Sequence, residues 1–227
     1  MASEPDFVYT PPQGPLDIVH IDKDVLCVVK PSGLLSVPGR GEHVQDSLYT
    51  RILSEWPLAR VVHRLDMDTS GIMIFALRRN AERTLKIQFQ ERRIQKRYEA
   101  VVFGTTPQAG VIDNPLMPDP NRKLRHIVHT EGKPSETHFH SKSQRLDVSL
   151  LSLIPKTGRS HQLRVHLTHI GHPILGDRFY APPEVCVKAS RLMLHSAEIQ
   201  FAHPYSGQQI HCKAPSGFAS FMDAYTV

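Results

Sequence analysis

Two short stretches hold the residue types that chemistry would use. His63-Arg64-Leu65-Asp66-Met67-Asp68-Thr69-Ser70-Gly71 gathers one imidazole, one guanidinium and two carboxylates. Thr157-Gly158-Arg159-Ser160-His161-Gln162-Leu163-Arg164 adds a second basic set. A positioned carboxylate can act as a nucleophile or as a general acid or base. To act as a nucleophile it must be ionised, and a cation within a few ångströms favours that form. The plainer reading of the first stretch is a surface turn stiffened by an Arg–Asp pair, and of Arg164 a solvent-facing helix residue. Two carboxylates also raise glycosidic hydrolysis. Residues two apart in an extended turn have no controlled separation, so Asp66 and Asp68 are poorly placed for that chemistry.

The apolar run Ile72-Met73-Ile74-Phe75-Ala76-Leu77 after the first stretch reads as a buried strand. The acidic turn therefore lies at the edge of a buried sheet, and Gly71 lets the chain turn tightly there. Residues 16–21 and 25–29 read as a hairpin around Asp22-Lys23-Asp24, followed by a Pro/Gly-punctuated loop over 30–40. Asp46 is placed to cap a short helix with Leu48 and Ile52 on one face. Asn80 is placed to cap a second, in which Ala81, Leu85 and Phe89 form an apolar stripe. Strands are expected over 98–103, 148–154, 191–201 and 208–213, with irregular structure and short strands over 104–136. Ser160 is placed to cap a helix buried through Leu163, Leu167 and Ile170 and stopped by Gly171 and Pro173. Arg164 follows Leu163 by one position, so it should point across a cleft or along its rim.

The pattern predicts an α/β (α+β) fold: one mixed, largely antiparallel sheet flanked by helices. Residues 1–15 hold four prolines and read as a flexible or extended arm. Residues 16–227 read as a single domain without linker or internal repeat. No run reaches membrane-spanning length, and the N-terminus lacks the basic and apolar regions of a secretory signal. Three widely spaced cysteines, Cys27, Cys186 and Cys212, offer no disulfide framework or metal knuckle, which fits a cytoplasmic protein. Arg78 to Arg97 holds eight basic residues against Glu82 and Glu91, more than the whole chain's net charge of +5. Such a stripe, including Arg83, Lys86 and Arg93, is either a phosphate-contacting surface or a solvated helix face. His161, His166, His169 and His172 lack the partners and spacing of a zinc site, and no metal or cofactor is expected. The zinc-deaminase and nucleotide-binding signatures are absent.

The stretch His63-Arg64-Leu65-Asp66-x-x-Thr69-Ser70-Gly71 resembles the active-site motif of the RluA-type pseudouridine synthases. Lys30-Pro31-Ser32-Gly33-Leu34, Tyr98 after Lys96-Arg97, and Thr157 to Arg164 are similar to further motifs of that family. So are Gly171-His172-Pro173-Ile174-Leu175-Gly176-Asp177 and Leu194-His195. In order they cover about residues 16–218, and Pro31 to Arg40 is closest to the dual-specificity branch. The resemblance implies isomerisation of uridine to pseudouridine in RNA, with an RNA cleft across the sheet and no extra N-terminal RNA-binding module. It implies Asp66 as the catalytic carboxylate, attacking C1′ or C6 or assisting loss of a 2′-proton. Arg164 would pair with it, Tyr98 would face the flipped base, and Arg64 would enter the gap the base leaves. Leu194 would wall the base. Lys30, Arg83, Lys86, Arg93, Arg159 and His161 are the remaining candidates for RNA contact. Asp68 falls on a variable position and receives no role. The branch implies large-subunit rRNA and tRNA anticodon stem-loop substrates, acted on by a monomer. A catalytically silent RNA-binding protein on the same fold is the alternative.

Overall fold

The computed structural model describes residues 8–226. In chain order the elements are β1 (Asp17–Ile21), β2 (Val25–Lys30), α1 (Leu48–Glu55), β3 (Arg60–Val61), β4 (Ser70–Ala76), α2 (Arg79–Gln90), β5 (Gln95–Phe103) and β6 (Ala109–Ile112). They continue with β7 (Leu116–Pro118), β8 (His126–Val128), β9 (Thr137–Arg145), β10 (Val148–Pro155), α3 (Gln162–His169), α4 (Pro183–Cys186), β11 (Leu194–Ala202), β12 (Gln209–Lys213) and α5 (Phe218–Ala224). Ten strands form one sheet along the path β1-β2-β4-β11-β5-β10-β9-β6, with β3 on β4 and β12 on β11. Every pairing is antiparallel except β4 with β11, where His195 lies opposite Ser70 and Ser196 opposite Gly71. The expected mixed, largely antiparallel sheet is thus present, and β7 with β8 forms a separate small ribbon.

Alternation along the buried strands sorts the core into faces. Ile72, Ile74 and Ala76 of β4 pack with Val25 and Cys27 beneath Ala81 and Leu85 of α2. Met73 and Phe75 point the other way and pack with Leu26, Val28, Leu65 and the α1 residues Leu48 and Ile52. A third cluster joins Ala100, Val102, Leu151 and Leu153 to Leu163 and Leu167 of α3 and Phe218 and Met222 of α5.

Several local expectations are corrected. Ser47 caps α1 instead of Asp46: its hydroxyl accepts the Thr50 N–H, and the Thr50 hydroxyl accepts the Ser47 N–H in return. Asp46 instead pairs with Arg51 at 2.7 Å. Asn80 lies inside the first turn of α2, whose flanking residue Arg78 makes no side-chain cap. The chain enters α3 through His161 in the left-handed region (φ 55°), so Ser160 stands outside the helix. The polar strand β9 and the short α5 lay outside the expected elements. Residues 1–7 of the expected arm lie outside the described residues. Its remainder is extended but tied down. The Tyr9 hydroxyl donates to Asp46 O at 2.9 Å and accepts from Leu35 N, while Arg51 donates to Pro12 O.

Candidate active site

The turn carrying Asp66 is held from three sides. From behind, the loop after β2 grips its backbone. The Lys30 amine is fully buried and donates to Pro31 O, Leu34 O and Met67 O at 2.7–2.8 Å. The Ser32 hydroxyl donates to Asp68 O at 2.6 Å and Gly33 N to Met67 O at 3.0 Å. The Ser36 hydroxyl both donates to Leu65 O and accepts from Leu65 N. Burial pulls Lys30 down to about 7, against the charges of Asp68 and Asp66. Three carbonyl acceptors nevertheless fit an ammonium with three protons. Lys30 therefore does not contact RNA; it has no exposed surface and no spare donor.

On the α2 side His63 anchors the turn. Its Nε2 accepts the Ile74 N–H at 2.9 Å, and its ring lies 4.6 Å from that of Phe89. Such an acceptor must be unprotonated, and burial together with the charge of Lys96 lowers His63 to about 3. Downstream, Gly71 permits the close pairing of β4 with β11. A Cβ there would stand 2.4 Å from the Ser196 N and O, at φ +115°.

The Asp66 side chain is 29% exposed, and its two oxygens meet different partners. Arg164 Nη1 stands 3.4 Å from Oδ2, and His161 Nε2 stands 3.9 Å from Oδ1. Arg164 does not lie on a rim but is buried, because α3 is enclosed along its first six residues, Gln162 to Leu167. Its Nε and Nη2 grip both oxygens of buried Asp177 at 2.8 and 2.7 Å. The guanidinium also lies 5.1 Å from the centroids of Phe179 and Tyr180. Burial alone would ease its proton off, but the hydrogen bonds and charge of Asp177 and the charge of Asp66 raise it above the ordinary arginine range. The guanidinium is thus a fixed cation.

Tyr98 lies on β5 opposite Ser196 and packs with the Leu65 and Met73 cluster, bringing its ring to the Asp66 side of the sheet. Burial, opposed by a Ser196 hydrogen bond and aided by the Asp66 charge, pushes its hydroxyl up to about 12, so it is neutral. Arg64 is exposed, and among the described residues no carboxylate pairs with it, so the plain Arg–Asp brace is not what it makes. Arg178, unassigned from sequence, reaches Asp68 at 3.9 Å with its side chain 68% exposed. Half-buried Lys96 has no acceptor among the described residues. Its Nζ lies 3.5 Å from where a Gly158 Cβ would be.

Other candidates stand apart. Arg83, Lys86 and Arg93 belong to α2 and the turn after it, and α2 covers the sheet face opposite Leu65 and Tyr98. Lys86 pairs with Glu82 at 2.6 Å and Arg93 with Glu91 at 2.7 Å, so much of the stripe's charge is met within the protein. Arg97 likewise pairs with Glu198. Arg159 donates from Nε to Pro134 O at 3.3 Å. Leu194 is 3% exposed within the main core cluster, which makes it core and not a base wall. His166 and His172 turn to separate partners: His166 bonds Thr137 and Asn114 O, and His172 bonds Phe103 O.

Sequence reasoning gave no role to His63, Asp177 or Tyr180. Their signal is conformational, a neutral acceptor under one turn and a buried acid that shapes another, and residue types do not reveal it.

The family model described as RNA pseudouridylate synthase matches residues 24–169. The dual-specificity RNA pseudouridine synthase RluA of Escherichia coli (strain K12) is 49% identical over 214 residues, covering 92% of this chain and 98% of that protein. The protein of the same name from Vibrio vulnificus (strain CMCP6) is 47% identical over 206 residues, covering 87% of this chain and 82% of its own. The solved structure of human RNA pseudouridylate synthase domain containing 1 superposes with a TM-score of 0.79 at 28% identity, covering 98% of this chain and 90% of that one. By its family match and its likeness over nearly its whole length, the chain belongs to the RNA pseudouridylate synthases and is an RluA-type enzyme.

Proposed function

We propose that this enzyme isomerises specific uridines in two kinds of structured RNA, a loop of large-subunit rRNA and the anticodon stem-loop of tRNA, as a cytoplasmic monomer. Among the described residues no helix is long and apolar enough to cross a membrane. The observation that carries the catalytic reading is the half-exposed Asp66, flanked by Arg164 and His161 and facing the side of the sheet that bears Tyr98. The dual substrate rests on the relative named as dual-specificity, 98% of whose length is matched by 92% of this chain.

Isomerisation breaks the bond from uracil N1 to C1′, turns the base and joins C5 to C1′. The C5 proton leaves and N1 gains one. Asp66 supplies the carboxylate to the nucleoside, approached from its exposed side. Arg164 offers a fixed positive charge that needs no rearrangement during the reaction. Tyr98 presents a ring to the flipped base and a neutral hydroxyl. Exposed Arg64, and Arg178 beside Asp68, can meet phosphates around the turn, while Arg83, Lys86 and Arg93 serve at most the outer reach of the RNA.

Mapping pseudouridine in cellular RNA with and without the gene tests this reading. Sites in both rRNA and tRNA should disappear and return with the intact gene but not with Asp66→Asn, which keeps shape and removes the charge. Turnover by Asp66→Asn within about tenfold of the unaltered enzyme would remove Asp66 from the mechanism. Loss of sites in one RNA class alone would remove the dual substrate.

A further inference from the structure

The two oxygens of Asp66 are not equivalent. Oδ2 faces a cation whose contacts explain it, whereas Oδ1 faces an imidazole that the reaction described so far does not use. The state of that imidazole follows from its other neighbour. His161 Nδ1 lies 2.6 Å from the Tyr180 hydroxyl, which also accepts the backbone N–H of His126 at 2.9 Å. A phenol has one proton to give. Among the described residues no other acceptor is hydrogen-bonded to the Tyr180 hydroxyl, so its proton goes to Nδ1. Reversing this bond would leave the phenolic proton without a protein partner among the described residues, while the oxygen accepted twice.

With Nδ1 accepting, the imidazole proton sits on Nε2, the atom that faces Asp66. The ring is also uncharged. Burial lowers His161 to about 4, with the charges of Arg164 and His126 adding to the effect against those of Asp66 and Asp177. Tyr180 keeps its own proton, since burial, outweighing the His126 N–H and Arg164, pushes it up to about 12. Rotation of the ring is restricted by His126, Phe179 and Tyr180, with centroids 5.5–5.7 Å away. The backbone beneath it holds a left-handed conformation rare for a non-glycine residue, at φ 55° and ψ 14°.

We propose that His161 is a positioning residue, fixed by the Tyr180 hydroxyl as a neutral Nε2–H donor that steers Asp66 Oδ1 as the carboxylate engages the nucleoside. The 3.9 Å separation is longer than a hydrogen bond, and rotation of the half-exposed carboxylate closes it. A neutral donor directs the oxygen without adding a second full charge beside Arg164. One turn backs both partners of the carboxylate. Asp177 grips Arg164, and its Oδ1 also accepts the N–H groups of Phe179 and Tyr180. The proposal deepens the catalytic reading of Asp66 and rests on it.

The test has two arms. Nitrogen-15 NMR of the histidine rings in the whole enzyme, free of RNA, should show His161 as the Nε2–H tautomer from pH 8 to 5.5. In Tyr180→Phe the Nδ1 signal should move toward a mixture of tautomers. An Nδ1–H ring in the unaltered enzyme would overturn the proposal whatever the activity. In kinetics, His161→Ala should lower kcat about a hundredfold with KM for RNA unchanged. His161→Gln, whose amide can place an N–H near the ε position, should recover at least about tenfold of that loss. Equal kcat for the Ala and Gln variants, with both folded, would make His161 merely structural and likewise overturn the proposal. The NMR arm is independent of turnover, and Asp66→Asn tests the catalytic reading separately.

Discussion

Acidification should destabilise this enzyme through His63, and the size of the effect can be worked out. His63 must be unprotonated to accept the Ile74 N–H, and its folded value is lowered from 6.5 to about 3. A histidine that resists protonation when folded makes the unfolded chain the stronger proton binder below pH 6.5. Its contribution is therefore complete above that pH and is lost as pH falls from 6.5 toward 3. At pH 5 the loss relative to pH 8 is RT ln[(1 + 10^1.5)/(1 + 10^−2)], or about 2 kcal/mol. The result hardly depends on the folded value while that value stays below about 4. His63→Gln provides an amide oxygen in place of Nε2 and does not titrate. Urea unfolding of both proteins at pH 8, 7, 6 and 5 isolates the term, since all other ionisable groups are shared. The unaltered protein should lose about 2 kcal/mol more than His63→Gln between pH 8 and pH 5. Parallel stability curves would show that His63 is not the neutral acceptor described.

Three further outcomes are expected. Arg164→Met should cost about 3–5 kcal/mol in stability as well as activity, because it leaves Asp177 charged and buried without its partner. Adding Asp177→Asn should return part of that loss, and a double variant no more stable than the single one in chemical unfolding would contradict the pairing. Gly71→Ala should fail to fold or lose more than about 3 kcal/mol, since its Cβ would meet the Ser196 backbone at 2.4 Å. A soluble Ala variant with unchanged melting would refute that close pairing. Arg64→Lys keeps the charge but loses the planar guanidinium that can stack in place of a flipped base. It should slow turnover on a structured loop far more than on RNA whose target uridine is already unstacked. Equal losses on both, with normal fluorescence from a base analogue beside the target, would rule out that filling role.

The buried strands were legible because β-branched and apolar residues mark them, as in β2 and β4. Helix termini were less so. At α1 two adjacent residues could both cap, and only Thr50, reaching back to the Ser47 N–H, favours one. β9 was hidden because its outward residues are polar and Phe139 is the one large apolar side chain on its inward face, set between Thr137 and Ser141. In the site, Asp66, Tyr98 and Arg164 stood in recognisable stretches, and the structure brings all three to one side of the sheet. Lys30 and Leu194 stood in similar stretches yet serve the scaffold. A residue type does not say whether its side chain faces a cleft or closes the wall behind it. The basic stripe shows a related limit: a summed charge does not say which cations are already paired, as Lys86 is with Glu82, Arg93 with Glu91 and Arg97 with Glu198, an acid distant in sequence.

The position of β11 between β4 and β5 has a consequence for the order in which the enzyme becomes active. During synthesis β4 and β5 leave the ribosome long before β11, and each then presents an unpaired edge with buried-type residues on its faces. Until β11 enters, Ser196 is not in place between Gly71 and Tyr98, and the acid stays out of register with the tyrosine. The catalytic group encoded in the first third of the chain therefore remains idle until the last fifth has been made.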